Sequence, residues 1–185
     1  TNGLSGNIAF MRGSRNRVEQ LLGGRYDFAI MSRQALDYYR KEGRALVCLA
    51  DFGPHSYVDR HVVVTCRGFD GLWEGKRVGI DESSVDQREL TLRYFRDKPV
   101  EMVPLSYNQI LAYLREGRVD AGVWNFDDLD LESSGNGFLE IPDDGWGFPN
   151  TEAVLVCREE DAVAARLIRE LLDIPLVQAQ QRSVE

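Results

Sequence analysis

Gly24-Arg25-Tyr26-Asp27-Phe28-Ala29-Ile30 and Gly117-Arg118-Val119-Asp120-Ala121-Gly122-Val123 share one pattern, Gly-Arg-x-Asp-x-small-aliphatic, and their shared reading decides the fold. Each follows a helix with one apolar face: Val18, Leu21 and Leu22 in the first case, Ile110, Leu111 and Leu114 in the second. Each runs on into a short apolar strand. The glycine suits the left-handed residue that stops a helix, and the aspartate sits in the tight turn that follows, where its carboxylate can accept backbone N–H bonds. Upstream of each helix lies a further strand-like run, Ile8 to Met11 and Val100 to Val103. Strand, helix, strand occurs twice, so the expectation is a βαβ unit in each half.

Working outward, the second half adds a strand at Arg77 to Ile80 and a helix at Asp86 to Arg96. Ser84-Val85-Asp86-Gln87 opens that helix as a capping box, Ser84 covering one orphan amide and Gln87 reaching back; Ser106-Tyr107-Asn108-Gln109 repeats the device. A last helix is expected over about Asp161 to Leu172, ahead of Pro175. Glu132 to Gly137 and Asp143 to Asn150 read as loops. The strands His61 to Arg67 and Thr151 to Arg158 bracket the second half and are the natural crossings between two lobes. One lobe is therefore expected at residues 57–147, the other from 1–56 together with 148–185.

Composition sets bounds on function. The 185 residues are 43% hydrophobic and 28% charged, as in a globular protein, and no run approaches the roughly 18 apolar residues of a membrane span. With 22 basic and 30 acidic residues the net charge is −8, which argues against this segment gripping a nucleic-acid backbone. Any DNA contact is expected to lie outside it. Cys48, Cys66 and Cys157 are odd in number and without metal spacing, each inside an apolar run; they read as free thiols of a reducing, cytoplasmic compartment. The chain opens at Thr1 without methionine or signal peptide, which reads as a piece of something longer.

Arg60 to Arg67 followed by Gly71-Leu72-Trp73-Glu74-Gly75-Lys76-Arg77-Val78-Gly79-Ile80 resembles the first crossover of the type 2 periplasmic-binding-protein fold. A closer likeness covers nearly the whole chain. Met11-Arg12-Gly13, Tyr26-Asp27, Ser32-Arg33, Gly53-Pro54-His55-Ser56-Tyr57-Val58, Asp86-Gln87, Leu105-Ser106-Tyr107, Val119-Asp120-Ala121, Trp124-Asn125, Thr151-Glu152-Ala153-Val154 and Gln180-Gln181-Arg182 resemble the C-terminal domain of YhfZ-type proteins. The resemblance implies an α/β fold of two lobes, each a mixed sheet flanked by helices. It also implies a transcriptional regulator whose DNA-reading helix-turn-helix precedes this domain and is not in this chain, and with it a homodimer. The opening strand and helix of the first lobe are likewise not found.

Ligands of open α/β sheets gather at the carboxyl ends of strands, beside helix N-termini. Four segments meet that description. Arg12-Gly13-Ser14 follows the first strand, with a glycine for close approach and two groups able to bond an anion. Ser32-Arg33 ends the strand Phe28 to Met31, and many proteins of the resembled fold place a carboxylate-binding arginine there; a guanidinium takes a carboxylate in two parallel bonds. In the second lobe Ser83 and Ser84 open a helix behind two acidic residues, which favours a carboxylate over a phosphate. Trp124-Asn125 ends the strand Ala121 to Val123, with Tyr107 of the second capping box nearby in the pattern. His55, Tyr57 and Glu152 belong to the crossings, where hinge groups can face the cleft or simply bond the bend. The expected ligand is a small anion, with no cofactor and no metal, since there is no phosphate loop and no His/Cys metal spacing. The same fold also serves enzymes and extracytoplasmic solute-binding proteins of transporters, and fold alone does not decide. Lacking a nucleophile with a base in its sequence pattern, the chain reads as a binder and not an enzyme.

Overall fold

A computed structural model describes residues 9–11, 13–129 and 135–169. Two sheets organise it. The smaller contains β1 (Ala29–Ser32), β2 (Leu46–Asp51) and β8 (Ala153–Arg158) in the order β1-β8-β2, with β8 antiparallel to both neighbours. The larger has the order β5-β4-β6-β3-β7, built from β3 (His61–Thr65), β4 (Arg77–Ile80), β5 (Glu101–Pro104), β6 (Ala121–Asn125) and β7 (Gly137–Glu140). There β4 runs parallel to β5 and β6, while β3 is antiparallel to β6 and β7. Both sheets are flanked by helices, as the expected α/β architecture has it, although only the larger sheet is mixed; the smaller is antiparallel at each described pairing. The backbone passes between sheets over residues 52–60 and returns over 141–152. Among the described residues no helix is long and apolar enough to cross a membrane.

Side-chain alternation explains the layering. In β8, Val154 and Val156 face α1 (Ser14–Leu22) and α2 (Arg33–Lys41), packing with Val18, Leu21, Met31 and Leu36. Leu155 and Cys157, pointing the other way, pack with Leu49 and Ala165 of α5 (Ala162–Arg169). A strand covered on both faces has to be apolar throughout, as Ala153-Val154-Leu155-Val156-Cys157 is. β3 repeats the logic: Val63 packs with Leu90 and Phe95 of α3 (Val85–Phe95), whereas Val62 and Val64 pack with Ile110 and Leu114 of α4 (Ile110–Arg115). Gly122 permits that last approach, because a Cβ there would stand 2.6 Å from the Ile110 Cγ2.

The repeated segments end their helices in one way. Gly24 and Gly117 have φ of 77° and 67°. The Gly24 N–H donates to Leu21 O and the Arg25 N–H to Gln20 O; the Gly117 N–H donates to Leu114 O and the Arg118 N–H to Tyr113 O. These are two Schellman stops. The aspartates diverge. Asp120 accepts the Arg77 backbone N–H at 2.8 Å and its guanidinium at 3.1 Å, and although burial works against the charge, these bonds hold the carboxyl below its ordinary range. Asp27 instead stands exposed, 3.8 Å from Arg158, whose guanidinium bonds the carbonyls of Leu21 and Tyr26.

Several expectations need correction. Ala9 to Met11 form no strand, so the first βαβ unit lacks its opening strand over the described residues, and Ile8 lies outside them. Gly137 begins β7 instead of closing a loop; residues 130–134 fall outside the description. The final helix is described only as far as Arg169, and the residues from 170 on, including Gln180-Gln181-Arg182, are outside it too. The thiols are free as expected, although only Cys157 is fully buried.

Candidate functional site

The strand ends of the two lobes meet directly. The Ser32 hydroxyl caps α2 by accepting the Ala35 N–H at 3.0 Å and donates to Asp86 Oδ1 at 2.7 Å, across to the start of α3. Ser14, first residue of α1 behind Gly13 (φ 83°), accepts the Val85 N–H at 3.2 Å. Val85 itself is buried in the core of the first lobe. Burial pushes the Asp86 carboxyl up to about 7, against the pull of the Ser32 hydroxyl and of Arg17. Arg17 is held in turn by Met11 O at 2.6 Å, Ile30 O at 3.0 Å and the Tyr57 hydroxyl at 2.5 Å.

This geometry overturns the first capping box. The Ser84 side chain makes no cap bond; Ser14, from the other lobe, takes the amide at the head of α3. Gln87 turns inward, accepting the Asp81 N–H at 2.7 Å and donating to Gly79 O at 3.0 Å. The second box holds, Gln109 accepting the Ser106 N–H at 3.0 Å.

Asp81 gathers the second lobe's strand ends. Its Oδ1 accepts the Ser83 N–H at 2.8 Å and hydroxyl at 2.6 Å, and its Oδ2 accepts the Tyr107 N–H at 2.7 Å. The Tyr107 hydroxyl accepts the Asn125 N–H at 2.7 Å, and its ring lies flat on Trp124 with centroids 4.2 Å apart. Trp124 belongs to the lobe's core and lines neither of the two cavities described below. Asn125 accepts the Asp127 N–H at 3.1 Å. In the first lobe Arg33 pairs with Asp51 and lies 3.9 Å from Glu152 Oε2, while its N–H donates to Glu152 O at 2.8 Å. Bonds from the Gly53 N–H and Arg33 outweigh desolvation and keep Asp51 ionised below its ordinary range. Ser14 and Ser32 thus meet α3; Ser83 with its neighbour Ser84, Tyr107 and Asn125, brought together from three segments, form a second group, and Arg33 with Glu152 a third. Arg12 lies outside the described residues.

Two cavities open among these elements. One, of about 290 Å³, lies between α1, α2 and α3 and is lined by Arg15, Glu19, Tyr38, Glu82, Arg88 and their neighbours. The other, of about 170 Å³, lies between the crossings and was missed by sequence reading except for His55. Asn150 and His61 line it, joined Nδ2 to Nδ1 at 2.8 Å. Burial pushes His61 down to about 4, so the ring is neutral. The crossings are tied to each other by Tyr57 N–H to Thr151 O at 2.9 Å and Ala153 N–H to Ser56 Oγ at 2.8 Å.

Two lobes with apposed strand ends and a double crossing define a type 2 periplasmic-binding-protein-like domain. Solved structures agree on the fold: the periplasmic aliphatic sulphonate binding protein SsuA of Escherichia coli superposes with a TM-score of 0.66 at 17% identity, covering 92% of this chain and 61% of that one. An ancestral arginine-binding protein bound to arginine gives 0.59 at 16%, covering 93% and 76%. The chain belongs to the YhfZ C-terminal domain family, whose model matches residues 1–185. Protein YhfZ of Escherichia coli K12 is 36% identical over 177 residues, 95% of this chain and 58% of that protein, so the chain spans little more than half of its relative. The crystal structure of YhfZ from Shigella flexneri matches with a TM-score of 0.75 at 38% identity, covering 95% of this chain and 75% of that one.

Proposed function

We propose that this chain is the effector-binding part of a transcriptional regulator, capturing a small anionic molecule between its lobes and passing lobe closure to a DNA-reading segment elsewhere in a homodimer. The observation that carries the reading is the apposition of Ser14 and Ser32 with α3: the two lobes touch through polar groups at their strand ends, where an opening of the lobes would free those groups for a ligand. Membership of a family described as a C-terminal domain supports a further segment upstream in such proteins. We read the domain as a binder and not a catalyst; the hydroxyls of Ser14, Ser32 and Ser83 bond to Val85 N–H, Asp86 and Asp81 and not to a histidine base. Its proposed setting is the cytoplasm.

Arg33 is the anion's contact in this reading, and it is reached by exchange, since Asp51 already occupies the guanidinium. Isothermal titration with a panel of carboxylates and sugar phosphates tests this. Arg33→Ala should weaken the bound compound by about tenfold or more, the loss of a charge-assisted bond, and Asp51→Asn should tighten it by removing the competitor. If neither variant changes the affinity of a compound that binds, Arg33 serves structure alone.

A further inference from the structure

We propose that the cavity between the two crossings is a second binding site, taking a small uncharged amide group through Asn150 and His61. Asn150 stands completely buried in the wall of a cavity of about 170 Å³, and its Oδ1, closed off from solvent, has no hydrogen-bond partner among the described residues. A buried acceptor left without a donor is costly, which makes it a position that a ligand or ordered water completes. The Asn150 Nδ2 can only donate, so the His61 Nδ1 accepts and the ring carries its proton on Nε2. The pair therefore holds an unfilled acceptor, which a small shift of the Asn150 side chain brings to the cavity, beside an imidazole N–H donor. A primary amide supplies both complements, and it does so whichever way the Asn150 amide is turned, because one of its polar atoms stays unpaired in either orientation.

Charge and shape narrow the ligand further. Arg60 lies 2.9 Å from Asp59 and 3.4 Å from Glu140, and all three line the cavity. One guanidinium shared by two carboxylates, beside a neutral His61, disfavours an anion. Leu90, Ile141 and Phe148 supply an apolar wall, as small-molecule sites usually have. Two non-glycine residues with left-handed backbone, His55 at φ 58° and Phe148 at φ 46°, both line this cavity, one from each crossing. Such positions carry strain that clusters at ligand clamps and switches. The site is independent of Arg33 and of the serines at the strand ends.

Acetamide is the probe and acetate, of the same shape but charged, its control, both titrated into the wild-type chain by NMR. Acetamide should give saturable shifts in the Asn150 side-chain N–H₂ and the Thr151 amide, with acetate at least about tenfold weaker. Asn150→Leu should abolish the response. Ile141→Phe, which fills the cavity and leaves the Asn150–His61 pair in place, should abolish it as well, and it decides the matter if the first variant does not fold. Equal binding of acetate and acetamide, shifts that never saturate, or a crystal soaked in acetamide that shows ordered water only in the cavity would overturn the site. These probes and variants are separate from the carboxylate titration of Arg33, so each site can fail without the other.

Discussion

Asp86 and His61 are titratable groups moved in opposite directions by burial, and both stand where the lobes join. The carboxyl, ordinarily near 3.8, is pushed up to about 7, so between those values the folded chain keeps a proton that the unfolded chain has lost. Its contribution is present in acid and fades as pH rises through about 7. His61, ordinarily near 6.5 and pushed down to about 4, does the reverse: the unfolded chain takes up a proton that the folded one refuses, so stability falls as pH drops from 6.5 towards 4. In thermal melts across this window the two trends oppose each other. Asp86→Asn should leave only the acid-side fall, and His61→Asn only the fall towards neutral pH. Melting curves of Asp86→Asn that keep the wild-type pH profile would remove Asp86 from this role. The same residue marks the limit of sequence reading, since Asp86 looked like one member of a helix-opening motif and its partner, Ser32, lies 54 residues away.

At the scale of elements, the two Gly-Arg-x-Asp segments were legible because each stop is made by residues within one turn of each other. Gly117→Ala should cost about 1 kcal/mol from the left-handed backbone alone, as nothing stands within 4 Å of the added carbon. Gly122→Ala should cost more, roughly 1–3 kcal/mol, because Ile110 must move. Urea denaturation of the two variants ranks them, and an equal loss would show that α4 gives way freely. β3, β4 and β8 were likewise readable, from the runs His61 to Arg67, Arg77 to Ile80 and Thr151 to Arg158. β7 was not: Gly137–Glu140 is a short strand whose one partner among the described residues is β3, behind a polar stretch with the look of a loop. Nor was the true cap of α3, because Ser14 comes to Val85 from 71 positions away. The cavity at the crossings was hidden for the same reason, as it needs Leu90, Glu140 and Asn150 brought to one place.

For the whole molecule, the contact of Ser14 and Ser32 with α3 describes lobes that already touch. Capture of a ligand between them then requires that contact to open and re-form around the guest, with the tied crossings at 52–60 and 141–152 taking up the movement. Hydrogen-exchange mass spectrometry on the chain, with and without the tightest carboxylate or sugar phosphate from the titration panel, reads this directly. The account predicts simultaneous protection in residues 13–33 of the first lobe and 81–86 of the second. Protection confined to one lobe, or to neither while the compound is bound, would contradict capture between them.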